Sequence, residues 1–213
     1  MMSDVHFCRS STSGYRRFPA FLGVMVLTLV VCGQAPAKAA NEWADGQDTT
    51  IVLYKSKQLM ALYRNGTKVR QYRVCLGLNP YGPKRTVGDY RTPEGDYYIC
   101  SKNTASGYHR FLGISYPGEK DAQMAFERGM ISKDKRDSIL AKIKTGGAPP
   151  WDTELGGWVG IHGYPSDAYR GLWIALFYPK PHNWTDGCIA MWNYEIEDLF
   201  ARVSVGTPIR ILP

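Results

Sequence analysis

At 213 residues, 44% hydrophobic, 21% charged and with a formal net charge of +7, the chain has the composition of an ordinary globular protein with room for one well-filled core. That excludes disorder over most of its length. The positive charges are scattered, as in "KVRQYR" and "KDKRDS", with no basic stripe carrying stacking aromatics, so no nucleic acid is expected as a partner.

The N-terminus reads as an export signal. Arg16 and Arg17 precede the apolar run Phe21 to Val31, and "APAKAA" supplies a small-residue exit. The apolar run is too short to cross a bilayer as a mature helix. Cleavage after Ala39, directed by Ala37 and Ala39, defines a signal peptide over 1–39 and a short lead over 40–49. The remaining 174 residues carry 22 Lys and Arg against 18 Asp and Glu, a balance of +4 that suits an anionic wall polymer without establishing one. A competing reading lipidates Cys32, because "LVVC" resembles a lipobox, although Val31 is a poor fit before the cysteine. The twin arginines lack the rest of a Tat pattern, and either reading exports the protein.

Residues 50–213 read as one β-rich α+β domain. "TTIVLY" and "QLMALYRNGTKVRQYRVCLG" are strand runs, the second broken at Asn65-Gly66, a pair that tolerates positive φ and so marks a hairpin. "TPEGDYYICS" gives a turn and another strand, with Pro93 and Gly95 at the bend. Helices are predicted through "DAQMAFERG" and "SKDKRDSILAKIKTGG". In the second, Ser132 caps the start, Ile139, Leu140 and Ile143 share a face, and Gly146 ends it. "GWVGIHG" is strand-like. A last helix over "NYEIEDLFARV" is expected to be capped by Asn193 and to turn Ile196, Leu199, Phe200 and Val203 inward, before "IRIL" closes as a strand.

Beyond the signal the cysteines are Cys75, Cys100 and Cys188, an odd number in an oxidising compartment. Cys75 and Cys100 lie in strand runs and are expected to carry any disulfide; the alternative is two small buried hydrophobes. Cys188 is left free, between a glycine and an apolar run in "NWTDGCIAMWN". A thiol becomes a good nucleophile when an imidazole takes its proton. His162 ends an apolar strand beside Gly163 and is the leading partner; His109 and His182 are weaker candidates, and a structural role remains open for each. No Cys and His spacing fits a zinc site, so no metal and no cofactor are expected.

"GIHGYP" followed by "WTDGCIAMWNYEIEDLFARVSVGTPIRI" resembles the signature of the L,D-transpeptidase catalytic-domain family. "GLNPYGPKRTVGDYRTPEGDYYI" and "FLGISYP" resemble two further family segments in the right order, from about Thr50 to Leu212. The resemblance implies an L,D-transpeptidase-like β-sandwich or barrel with a few short helices. It also implies Cys188 as nucleophile, His162 as general base, the Gly163 backbone carbonyl as the acceptor that fixes the imidazole, and the N–H groups of Gly187 and Cys188 at an oxyanion. Thr185 matches the family's hydroxyl position, with a turn or cap as its plain alternative, and Asp186 joins it as a substrate-side residue. Peptidoglycan stem peptides, and a wall-linked protein, are the implied partners of a periplasmic monomer.

The sequence departs from the commonest family form at Asp186, where histidine is usual, and at Ala190, where many members carry arginine. The aromatic insert between His162 and Cys188, with Tyr169, Trp173, Phe177, Tyr178, Trp184 and Arg170, is longer than in compact members. T-D-G-C-I-A itself resembles a Gram-negative branch that includes members detaching protein from peptidoglycan. Three outcomes therefore stand: acyl transfer to an amine, hydrolysis, and a wall-binding module without activity.

Overall fold

β-Branched and apolar residues fill the run Thr49–Tyr54, and in the computed structural model it forms the first strand, β1, with Thr50 to Leu53 all buried, as in a strand covered on both faces. The structure describes residues 48–165 and 182–213. The signal over 1–39, almost all of the lead, and insert residues Tyr169, Arg170, Trp173, Phe177 and Tyr178 lie outside the described residues. No helix among the described residues is long and apolar enough to cross a membrane.

β1 pairs antiparallel with β2 (Leu59–Arg64) and parallel with β8 (Pro208–Leu212). Asn65 and Gly66 take φ of 47° and 74°, so the left-handed two-residue turn predicted for them joins β2 to β3 (Thr67–Arg73). β4 (Gly95–Ser106), β5 (His109–Ile114), β6 (Gly160–His162) and β7 (Ile189–Ala190) complete one sheet in the order β3-β2-β1-β8-β4-β5-β6-β7.

The sheet curls back on itself. Cys75, just beyond edge strand β3, donates its N–H to the Ala190 carbonyl on edge strand β7 and accepts the Ala190 N–H, both at 2.8 Å. These bonds satisfy backbone groups that an open edge would leave unpaired. They also carry the segment containing Cys188 to the seam of a barrel-like, strand-rich α+β fold, the expected class. Ile51, Leu53, Leu62, Ile99, Ile114 and Ile209 are essentially excluded from solvent inside it, each side chain contributing about 1.5–3 kcal/mol of hydrophobic stabilisation.

Three helices pack around this sheet among the described residues. α1 (Glu119–Glu127) packs on α2 (Lys133–Lys144), whose predicted cap is present, the Ser132 hydroxyl accepting from Lys135 N–H at 3.2 Å. α3 (Asn193–Arg202) lays Ile196, Leu199 and Val203 against β5 and β6. Its cap corrects the sequence reading: Trp192 occupies that position, its N–H bonded to the Glu195 carboxylate at 3.2 Å, while the Asn193 side chain accepts from Tyr164 N–H, just beyond β6, instead.

The expected disulfide is not formed: Cys75, Cys100 and Cys188 are all free. Cys75 is buried at the barrel seam with its sulfur 3.8 Å from Tyr164 Oη. Cys100 follows buried Ile99 on β4, and strand alternation sends it to the opposite face. The alternative reading of Cys75 as a small buried hydrophobe describes it better.

Candidate active site

Burial and backbone bonding fix His162 before any partner is considered. It ends β6, is 3% exposed, and its backbone is held on both sides: its carbonyl accepts Met191 N–H at 3.0 Å, and Gly163 N–H donates to Tyr108 O at 3.1 Å. Its ring lies 4.6 Å from that of Tyr108 and 5.8 Å from that of Trp184. Nδ1 is 2.7 Å from the Gly163 carbonyl oxygen. A carbonyl only accepts, so Nδ1 carries the hydrogen and the neutral ring keeps a lone pair on Nε2. Burial lowers the pKa of His162, partly opposed by the Gly163 bond, so the imidazole is neutral and ready to accept a proton at neutral pH.

Asn193 buttresses this arrangement. Its Oδ1 accepts Tyr164 N–H at 2.7 Å and occupies the space that a Cβ on Gly163 would need. Asn193→Ala leaves that N–H without its partner and is expected to lower unfolding stability by about 1–3 kcal/mol. Thermal denaturation read by circular dichroism checks it.

Cys188 sits where the turn Thr185–Gly187 enters β7. Gly187 takes φ of 133°, and a Cβ there would run into the Arg91 carbonyl oxygen at 2.6 Å, so the turn requires glycine. The Thr185 hydroxyl donates to the Cys188 carbonyl at 2.7 Å and accepts Gly187 N–H at 3.2 Å. Thr185 is therefore a turn-bracing residue, the plainer of its two readings, and Gly187 N–H, expected at an oxyanion, is bonded to Thr185 Oγ1 instead. The sulfur lies 3.5 Å from the Trp158 carbonyl oxygen, so the thiol hydrogen has an acceptor in the resting state.

His162 and Cys188 meet on one cavity of about 440 Å³, lined also by Tyr108, Phe111, Trp158, Trp184, Thr185 and Asp186. Of the Tyr, Trp and Phe residues of the insert, Trp184 is the one within the described residues, and it forms a wall of this cavity. Tyr108 and Trp158 were missed by sequence reasoning. Trp158 is 67% exposed, holds a left-handed φ of 56°, and is backed by Trp151 with ring centroids 4.2 Å apart; neither motif nor periodicity signals that. His109 is engaged elsewhere, its Nε2 2.6 Å from Glu197 on α3.

Thiol acidity does not single out the nucleophile. Burial raises the pKa of Cys75 and pushes Cys100 up to about 11. Cys188 is likewise pushed up to about 11, first by desolvation of its sulfur and then by the Asp186 charge, against the Gly160 N–H and the Lys84 charge. The residue is partly open to solvent, with its sulfur against the Trp158 carbonyl. Position alone distinguishes it: Cys188 lines the cavity with His162. At neutral pH the pair rests as thiol and neutral imidazole rather than as an ion pair.

Asp186 is exposed and adds a negative charge beside the sulfur. Asp186→Asn removes it, so the thiolate becomes less unfavourable and the alkylation midpoint moves below that of the native protein. Iodoacetamide labelling of the Cys188 peptide at pH 8 is expected to rise about twofold to fivefold, a modest effect because the carboxylate is solvent-screened.

Comparison with known proteins gives the family. A family model described as L,D-transpeptidase catalytic domain (YkuD) matches residues 48–211. YafK of Escherichia coli (strain K12), whose name assigns it provisionally to the L,D-transpeptidases, is 27% identical over 89 residues, which is 38% of this chain and 36% of YafK. The crystal structure of the helical cell shape determining protein Pgp2 (K307A mutant) from Campylobacter jejuni superposes with a TM-score of 0.51 at 21% identity, covering 79% of this chain and 47% of that one. An L,D-transpeptidase from Mycobacterium smegmatis gives a TM-score of 0.43 at 14% identity, over 78% of this chain and 59% of its own. The match thus spans about a third of YafK and about half of Pgp2, and the likeness to Pgp2 shows a shared fold. With its family model matched over nearly the whole described region, the chain belongs to the L,D-transpeptidase catalytic domain family.

Proposed function

We propose that this chain is an exported cysteine acyltransferase acting on peptidoglycan stem peptides through a thioester. Family membership supports a peptidoglycan-modifying activity. The observation that carries the finer reading is the pairing of Cys188 and His162 on one cavity, with Nδ1 spent on Gly163 O so that Nε2 is the basic nitrogen.

In the proposed reaction Cys188 Sγ attacks the carbonyl carbon on the L-centre side of an L,D peptide bond as its proton passes to His162 Nε2. The S–C bond forms and the carbonyl oxygen becomes an oxyanion, faced by Cys188 N–H; Gly187 N–H joins only by leaving Thr185 Oγ1. Collapse breaks the C–N bond, and the imidazolium returns the proton to the departing amine of D-alanine. An amine from a neighbouring stem, or from a wall-linked protein, then attacks the thioester, gives its proton to His162 and releases the Cys188 thiol. Water in that step yields a carboxylic acid instead. The leader over 1–39 supports action outside the cytoplasm, in a periplasm.

Muropeptide products after incubation with and without an amine acceptor test this. Crosslinked or amine-substituted stems are expected. Stems shortened by D-alanine alone, whatever the acceptor, would replace the transferase by a carboxypeptidase or amidase. Unchanged muropeptides together with retained binding to purified sacculi would leave a wall-binding module.

A further inference from the structure

Nothing in the reaction above accounts for a lysine buried behind the nucleophile. Lys84 is 4% exposed, and a buried ammonium persists only where it is paired and bonded. Its Nζ donates to Asp89 Oδ1 at 2.8 Å and to Thr86 O at 3.0 Å. Asp89 in turn accepts the N–H groups of Arg85, Thr86 and Arg91. Burial opposes ionisation of Asp89, yet these N–H groups and Lys84 together hold it below the usual carboxylate range. The loop from Lys84 to Arg91 is thereby closed on a fixed cation.

The stem of that lysine fills the space between the two segments flanking the sulfur. A Cβ on Gly187, one residue before the nucleophile, would lie 3.8 Å from Lys84 Cδ. A Cβ on Gly156, two residues before the carbonyl that accepts the Cys188 thiol, would lie 3.2 Å from Lys84 Cε. Both glycines hold left-handed φ, 133° and 83°. Three chain segments therefore converge on one side chain, which sets how the 185–187 turn sits against Trp158.

We infer that Lys84 is a positioning residue for the nucleophile: its stem holds the Gly187 turn against the Gly156–Trp158 loop, and its ammonium supplies the positive field that lets Cys188 reach the thiolate in a desolvated seat. The inference rests on Cys188 being the nucleophile. Among the described residues, the charged and titratable groups on the cavity beside Cys188 are Asp186 from its own turn, His162 from β6 and Tyr108 just before β5, with Lys84 from the loop behind the turn. Asp186 opposes the thiolate and Lys84 favours it, while Asp89 is spent on Lys84 and three N–H groups.

The test uses the full chain with Lys84→Met, which keeps most of the stem and removes the charge, and Lys84→Arg, which keeps the charge. Iodoacetamide labelling of the Cys188 peptide is followed by mass spectrometry against pH, beside kcat and KM on muropeptides. Lys84→Met is expected to move the labelling profile up by a few tenths of a pH unit, slowing labelling at pH 8 about twofold to threefold, and to lower kcat with KM little changed. Lys84→Arg is expected to restore most of both. If Lys84→Met fails to fold because Asp89 is left unpaired, the Lys84→Met/Asp89→Asn protein replaces it, and a smaller movement in the same upward direction is expected, because the neighbouring negative charge is removed as well. A profile that stays with the native one in a folded variant overturns the inference, as does a loss of kcat that only tracks lost thermal stability. Native Cys188 that a carbapenem fails to acylate would overturn the functional reading instead.

Discussion

Cys188→Ser is expected to abolish the proposed acyl transfer, by about 10³-fold or more in kcat, while the fold persists. A serine hydroxyl is a far weaker nucleophile than a thiolate. The side chain carries little of the structure, because the turn is braced by Thr185 through the backbone at Gly187 and Cys188. Cys75 and Cys100 remain as internal controls: neither is among the residues lining the cavity with His162. Circular dichroism and thermal melting of the variant should match the native protein while muropeptide turnover disappears.

His162→Asn is the second large effect. Asparagine offers an N–H for the Gly163 carbonyl but no basic nitrogen, so the proton relay is lost with the local bonding largely kept. Kcat is expected to fall about 10²- to 10⁴-fold with little change in KM. The pH profile carries the sign. Burial depresses the His162 pKa below the ordinary imidazole value, so native activity is expected to decline on the acid side as the ring protonates, below its usual titration range. The variant has no titrating base there and loses that limb.

The sequence made the scaffold readable where local chemistry and tertiary need agree. Asn65-Gly66 turned as predicted, Ser132 capped α2, and the apolar spacing of Ile196, Leu199 and Val203 matched the buried face of α3. The H-G and T-D-G-C motifs bring His162 and Cys188 to one cavity because β6 and β7 are adjacent parallel strands, Ile161 opposite Ile189 and His162 opposite Ala190. Illegible were features set by long-range contacts. The closing of the sheet through Cys75 and Ala190 decides that Cys75 points to Tyr164 rather than to another thiol. Asn193 has the composition of a cap, yet the backbone of Tyr164, 29 residues away, claims its side chain. Lys84 looks like one more solvated charge in "GPKRTVGDY" until Gly156 and Gly187 are placed on either side of its stem.

Intact-mass spectrometry after exposure to a carbapenem, with peptide mapping and a time course, measures directly whether Cys188 becomes an acyl carrier with His162 as its base. One adduct per chain is predicted, mapped to Cys188, absent in Cys188→Ser and formed at least 10²-fold more slowly in His162→Asn. An adduct on Cys75 or Cys100, none at all on folded protein, or an unchanged rate in His162→Asn would contradict it.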